Sequence, residues 1–235
     1  MDRISHIRNE EKSYHDNCYE QNILFEPGSW MNKPVKTVMD LLPKLHPYET
    51  FSILDLGCGV GRNTIPIAEF LKSHSGKVIG VDLLESAVNG LHQYCIQFGV
   101  QDYIEIVHSD IESYFIPPLT HNLIVAVSAL EHLSSEDALE NKLKEMVVGT
   151  KINGINCIII ASNIRESIIE ADIQIDPMFE ILLSTERTFA ILDYHYSGWE
   201  VLSRLVKPLS FEIERQHVPV LLTSDCITYV VRKLQ

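Results

Sequence analysis

No stretch of this 235-residue chain stays apolar for the ~18 residues that a membrane-spanning helix needs. Residues 1–10 also lack the apolar core of a secretory leader. The expectations are therefore no membrane partner and a cytoplasmic setting. Cysteine is sparse: Cys18, Cys58, Cys95, Cys157 and Cys226 form no CxxC pair. This argues against a metal site and suits reduced thiols. Cationic residues are short, with 19 Lys and Arg against 32 Asp and Glu and a formal net charge of −13. A nucleic-acid partner, whose phosphates require clustered cations, is therefore not expected. Internal repeats and low-complexity runs are missing too. What remains is a chain with 46% hydrophobic and 22% charged residues, long enough for one well-packed domain.

The organising stretch is Phe51-Ser-Ile-Leu-Asp-Leu-Gly-Cys-Gly-Val-Gly-Arg-Asn-Thr64. It reads as a buried strand, a glycine turn and a helix whose apolar face is Ile65, Ile67, Ala68, Phe70 and Leu71. Glycines at 57, 59 and 61 let the backbone approach a ligand, because no Cβ stands in the way. A dinucleotide fingerprint wants its third glycine where Arg62 stands. Asp55, two residues before Gly57, would repel a pyrophosphate and suit an ammonium group. S-adenosylmethionine carries an ammonium and no phosphate.

The sequence DLGCGVGRNT resembles the first motif of class I S-adenosylmethionine-dependent methyltransferases. The alternation of strands and helices from about residue 35 onward agrees with that resemblance. It implies an α/β fold: a three-layer, Rossmann-like, mostly parallel seven-stranded sheet with an antiparallel C-terminal strand. Residues 1–33 read as an N-terminal appendage and residues 34–235 as the domain, with a substrate-side insert at about 163–199.

Two further strands end in acids. Asp82 closes the strand at 77–82, about where a nucleotide-binding α/β unit places the carboxylate that accepts from both ribose hydroxyls. The bland alternative for Asp82 is a cap on the helix expected at 86–98. Asp110 closes the strand at 103–110 and, taken singly, is a turn residue. In the methyltransferases that this chain resembles, an acid there accepts from the adenine amino group and the next backbone N–H, here Ile111, faces a ring nitrogen. The candidate cofactor residues are Asp55, Gly57, Gly59, Gly61, Asp82, Leu83, Asp110, Ile111 and Ser128.

Ser128 ends the strand expected at 121–128, and Glu131 and His132 follow it. In open α/β sheets the ligand lies outside the carboxyl ends of the strands, so these two are the candidate catalytic bases. Their structural alternatives are complementing a helix N-terminus and packing under the cofactor. The candidate substrate residues are Trp30, Arg187, Tyr194, Tyr196 and Trp199, with Tyr14 beside Trp30 in the appendage. Packing against the core is the competing role for every aromatic among them.

The stretch TFAILDYHYSGWE resembles tellurite-resistance-type methyltransferases, in which Gly-Trp-Glu opens a helix. A helix is accordingly expected at 198–207, then strands at 211–218 and 226–232 paired as an antiparallel hairpin. That likeness implies a thiol or a selenium or tellurium compound as the small-molecule acceptor. The expected activity is S-adenosylmethionine-dependent methyl transfer. The competing readings are an NAD-type dinucleotide oxidoreductase and a cofactor-binding relative without turnover. Oligomeric state is not legible in the sequence.

Overall fold

The computed structural model describes residues 3–47, 50–171, 173–215 and 218–234. Helix α1 (Arg3–Gln21) comes first, and a short 3-10 turn over Trp30–Asn32 leads to α2 (Lys36–Leu41). Five strands and three helices follow: β1 (Phe51–Leu56), α3 (Thr64–Leu71), β2 (Gly76–Asp82), α4 (Glu85–Phe98), β3 (Ile104–His108), then β4 (His121–Val127) with no helix before it, α5 (Glu136–Gly149) and β5 (Thr150–Ile168). The short β6 (Ile173–Ile175), α6 (Thr185–His195), β7 (Glu200–Arg215) and β8 (Val218–Arg232) complete the chain.

The helix boundaries follow local chemistry. Ser135 and Ser184 cap α5 and α6 by accepting the N–H groups of Ala138 and Arg187, each at 3.1 Å. Helix α4 stops at Gly99, whose left-handed backbone (φ 61°) lets its N–H reach the last carbonyls.

The sheet has the strand order β3-β2-β1-β4-β5-β8-β7, with β6 pairing β5. Strands β1 to β5 run parallel, while β8 is antiparallel to β5 and β7 antiparallel to β8. This is the expected mostly parallel architecture, with β6 as an added strand. Alternate side chains of β1 feed two cores: Ile53 packs with Ile65, Leu71 and Leu91, whereas Leu54 and Leu56 pack with Leu139, Leu143 and Leu192. A sheet buried on both faces accounts for the near-continuous apolar runs. Strand order reverses between β1 and β4, which opens a crevice at their carboxyl ends.

The C-terminal region departs from expectation. The helix expected at 198–207 is the first half of β7, so Gly-Trp-Glu opens a strand. Val201, Leu202, Leu205 and Val206 satisfy a helical spacing, but pairing with β8 from Glu200 to Arg215 decides the conformation. Gln216 and His217, at the end of the expected 211–218 strand, lie outside the described residues. The expected insert holds the end of β5, β6, a connecting segment and α6, and Asp172 within it is also outside the described residues. Strand β5 pairs with β4 only as far as Ile159 opposite Val127. Its residues 160–168 therefore project past the crevice beside β8.

Candidate active site

The glycine turn is built tightly. The N–H groups of Gly57 and Cys58 both donate to the carbonyl of Val81, at 2.9 and 3.1 Å. All three glycines have positive φ, and each spares a different contact. A Cβ on Gly57 would lie 2.5 Å from the Ala129 Cβ after β4, and one on Gly61 would lie 2.5 Å from Leu91 on α4. These two close the turn on the sheet and the helix. Gly59 faces the crevice, and a Cβ there would stand 3.1 Å from the Tyr19 hydroxyl of α1.

Three carboxylates lie at or just beyond the carboxyl ends of β1, β2 and β3. Asp55 is wholly buried and accepts from the Thr64 hydroxyl at 2.7 Å. Burial pushes its pKa up to about 7, opposed by the Thr64 hydrogen bond and reinforced by the charge of Asp82. Asp82 accepts the Gly59 N–H at 2.8 Å on one oxygen and the Leu84 N–H at 2.9 Å on the other. Burial raises its pKa against those two hydrogen bonds. It acts both as a clamp on the turn and as a partner for the backbone entering α4, so the bland and functional roles coexist. Each oxygen keeps a further lone pair for a ligand hydroxyl. Asp110 accepts the Glu112 N–H at 2.9 Å and pairs with Arg8 of α1 at 3.1 Å. Leu83, which follows Asp82, is 44% exposed, and Ile111, which follows Asp110, is buried. Ser128 leaves β4 in a left-handed conformation (φ 49°) and is exposed. Such a backbone in a non-glycine residue is rare and is enriched at functional sites.

Helix α1 roofs the crevice. Arg8 reaches Asp110, Asp16 accepts from the Ser86 hydroxyl on α4, and Tyr19 stands over Gly59. Glu11 faces His132 at 3.8 Å. Glu11, His15 and Tyr19 recur at intervals of four and so share one helix face. That spacing is a signal available in the sequence. Trp30 belongs to this roof: it packs against His15 and Tyr19 and lies 5.5 Å from the Arg62 guanidinium.

His132 is clamped. Its Nδ1 lies 3.0 Å from Glu180, and its ring stacks on Phe179. Burial pulls its pKa down, but Glu11, Glu180 and Glu131 together outweigh this and raise it to about 9. A histidine held protonated at neutral pH favours pairing with its carboxylates over taking a proton. Glu131 accepts the Ala161 N–H at 3.1 Å, and burial raises its pKa. Glu180 gave no local sequence signal. It reaches His132 only through the fold, 48 residues on.

The other substrate candidates lie elsewhere. Tyr196 is buried in the core and accepts from the Asn156 amide at 2.9 Å. Trp199 packs on Tyr196, beside Lys233, whose amine holds the carbonyls of Val147 and Thr150 where α5 turns into β5. That is the amino end of the sheet, opposite the crevice. Tyr194, 74% exposed, lines a shallow surface hollow with Lys144, Val147 and Val148. Arg187 pairs with Glu136 and Glu140 on the outer face of α5. Packing, the alternative use of aromatic side chains, claims Tyr196 and Trp199.

A family profile described as a methyltransferase domain matches residues 53–154, the part of the chain that holds the glycine turn and all three strand-end acids. Residues 53–154, rather less than half of the chain, are thus similar to a methyltransferase domain. S-adenosylmethionine is the cofactor that such a domain takes. The probable cobalt-precorrin-6B C(15)-methyltransferase (decarboxylating) of Saccharolobus solfataricus is 35% identical over 69 residues, which are 29% of this chain and 34% of that protein. TehB from Haemophilus influenzae has a similar structure, with a TM-score of 0.63 at 20% identity over 85% of this chain and 62% of TehB. A SAM-dependent methyltransferase from Aquifex aeolicus superposes with a TM-score of 0.51 at 19% identity, covering 80% of this chain and 88% of that one. The chain thus spans about a third of the curated relative and under two thirds of TehB. At these identities the two structures bear on the fold of the methyltransferase domain. Its site is read from its own residues. The cradle at Gly59 and the open lone pairs of Asp82 fit an adenosyl ligand, and Asp55 fits an ammonium.

Proposed function

We propose that this protein transfers a methyl group from S-adenosylmethionine to a small-molecule acceptor at the crevice between α1 and the carboxyl ends of β1, β2, β3 and β4. The observation that carries the reading is the set of Asp55, Asp82 and Asp110 at or just beyond the carboxyl ends of β1, β2 and β3, with a glycine turn whose central member faces the crevice. In this reading Asp82 accepts from the ribose hydroxyls. Leu83 and Ile111 flank the adenine, and Asp110 accepts from its amino group. Gly57, Gly59 and Gly61 admit the cofactor backbone, Asp55 offsets its ammonium, and Ser128 lines the approach. Bound there, the cofactor supplies a methyl group on a sulfonium, already activated for displacement. The protein then contributes alignment and exclusion of water, which α1 provides as a roof.

A thiol or a selenium or tellurium compound is the acceptor that the tellurite-type likeness supports. The residues carrying that likeness, the end of α6 and the start of β7, stand away from the crevice. The acceptor class is therefore better read from the crevice itself. An NAD-type oxidoreductase gains no support from the site: the carboxylate of Asp55, at the end of β1 just before the glycine turn, would repel a pyrophosphate seated there.

The test is a thermal-shift and calorimetric titration with S-adenosylmethionine, S-adenosylhomocysteine and NAD in parallel. At a hundred times the dissociation constant a ligand adds ~2.7 kcal/mol, which raises the Tm of a domain this size by roughly 5 to 10 °C. The expected result is a shift with both adenosyl ligands that Asp82→Ala abolishes. A shift with NAD alone would overturn the proposal.

A further inference from the structure

The end of the crevice nearest β4 holds more negative charge than methyl transfer itself requires. Glu131 is 2% exposed. One carboxylate oxygen accepts from Ala161, while Oε2 is buried with no hydrogen-bond partner among the described residues. A buried acceptor left unpaired is costly, so the site calls for a donor. Glu11 and Glu180 stand on either side of His132 and share its single positive charge. The neighbouring cations are shared with other acids. Arg8 lies closer to Asp110, at 3.1 Å, than to Glu180, at 3.9 Å, and Arg215 is held by Glu166 at 2.7 Å. Glu11 has a second imidazole partner: His15 Nε2 faces it at 3.4 Å, and His15 Nδ1 is buried without a hydrogen-bond partner among the described residues.

We infer that the methyl acceptor is a small amine, whose protonated nitrogen donates to Glu131 Oε2 and is balanced by Glu11. This rests on the methyl-transfer reading and names its substrate class. Counted with their partners, the carboxylates of Glu11, Glu131, Glu180, Asp110 and Glu166 outnumber the cations His132, Arg8 and Arg215, and an ammonium cancels part of that surplus. A thiolate or a selenite anion would meet the same carboxylates with repulsion. Before transfer the N–H bond breaks, the proton passes to Glu131 Oε2, and the pair of electrons stays on nitrogen as the nucleophilic lone pair. His132 is a positioning residue that holds Glu11 and Glu180 in place.

The experiment titrates the full chain with ethanolamine, dimethylethanolamine, tyramine and histamine, and with ethanethiol and selenite, each with and without S-adenosylmethionine. Calorimetry and thermal shift are the readouts. At least one amine should bind, and its affinity should fall tenfold or more in both Glu131→Gln and Glu11→Gln. Glu11 lies on the surface helix α1, so its variant keeps the test open should the buried Glu131 variant fail to fold. Binding of ethanethiol or selenite with no amine bound overturns the inference, as does silence from all four amines or equal amine affinity in wild type and Glu11→Gln. Failure of the methyl-transfer reading would show separately, as no response to S-adenosylmethionine in the wild type. In that case the inference falls with the reading, whereas a response to S-adenosylmethionine with silence from the amines overturns the inference alone.

Discussion

Asp55 ties cofactor binding to a proton. Burial raises its pKa from an ordinary 3.8 to about 7 in the free protein. A carboxyl whose folded pKa is raised contributes stability that is fully present below pH 3.8 and lost as pH rises through 7. The loss amounts to about 4 kcal/mol by pH 8, at 1.36 kcal/mol per unit. In Asp55→Asn the amide oxygen still accepts from Thr64, but nothing titrates. Urea unfolding at pH 4, 6 and 8 should therefore show the wild type losing about 4 kcal/mol relative to the variant. A ligand ammonium near Asp55 favours the carboxylate, so binding at pH 6 should release roughly 0.9 proton per cofactor. Calorimetry in two buffers of different ionisation enthalpy reads that number. S-adenosylmethionine and S-adenosylhomocysteine should both show the release, and at pH 8 it should nearly vanish. Parallel stability curves for wild type and Asp55→Asn, with no buffer dependence of the binding heat, would refute the reasoning.

His132, with a folded pKa of about 9, stabilises the protein below pH 6.5 and ceases to do so as pH rises through 9. The gap in urea stability between wild type and His132→Gln should shrink by up to about 3 kcal/mol over that window, less if the exposed quarter of the side chain is screened. His121 has the opposite sign. Burial lowers its pKa from 6.5 to about 4, so its contribution is present above pH 6.5 and lost as pH falls through 4. His121→Gln should blunt acid unfolding across that interval by about 3 kcal/mol. Gly57→Ala would set one Cβ 2.5 Å from another at a left-handed backbone. It should cost about 2 kcal/mol or more and lower Tm by several degrees, whereas Gly59→Ala should spare stability more than cofactor affinity. Tyr196→Phe leaves the buried Asn156 amide without its partner. It should cost ~1–3 kcal/mol in denaturation with no change in cofactor affinity, as befits a core residue.

The parts of the site legible in the sequence are those made by local chain geometry. A strand, a turn and a helix follow one another directly, so Asp55, Gly57, Gly59 and Gly61 could be placed from spacing alone. Asp82 ends the largely buried run of β2, and Asp110 follows the edge strand β3, whose side chains alternate. Period failed where it was ambiguous. Val201, Leu202, Leu205 and Val206 suit one face of a helix as well as an exposed edge strand, and only the partner β8 distinguishes the two. Glu180 was invisible because its role depends on the path of the chain between β6 and α6. The aromatic residues of the 163–199 region were over-read: a ring looks the same in sequence whether it packs on Lys233 or on a substrate.

The charge pattern of the roof gives α1 a role beyond packing. Only Ile7 of its residues is buried among the apolar side chains, so the hydrophobic effect holds this helix weakly. Its polar contacts fall on or near the residues that the proposed function assigns to the ligands: Arg8 on Asp110, Glu11 on His132, and Asp16 on Ser86 of α4. An adenine amino group at Asp110 would compete with Arg8, and an ammonium at Glu131 would add to the attraction on Glu11. Cofactor binding should loosen one end of the polar seam while acceptor binding tightens the middle. Amide hydrogen exchange on α1 can separate the two: faster exchange around Arg8 with S-adenosylhomocysteine alone, and slower exchange around Glu11 when an amine is added. Uniform protection of the whole helix by the cofactor alone would show that α1 closes as a rigid roof and that the Arg8 pair does not compete.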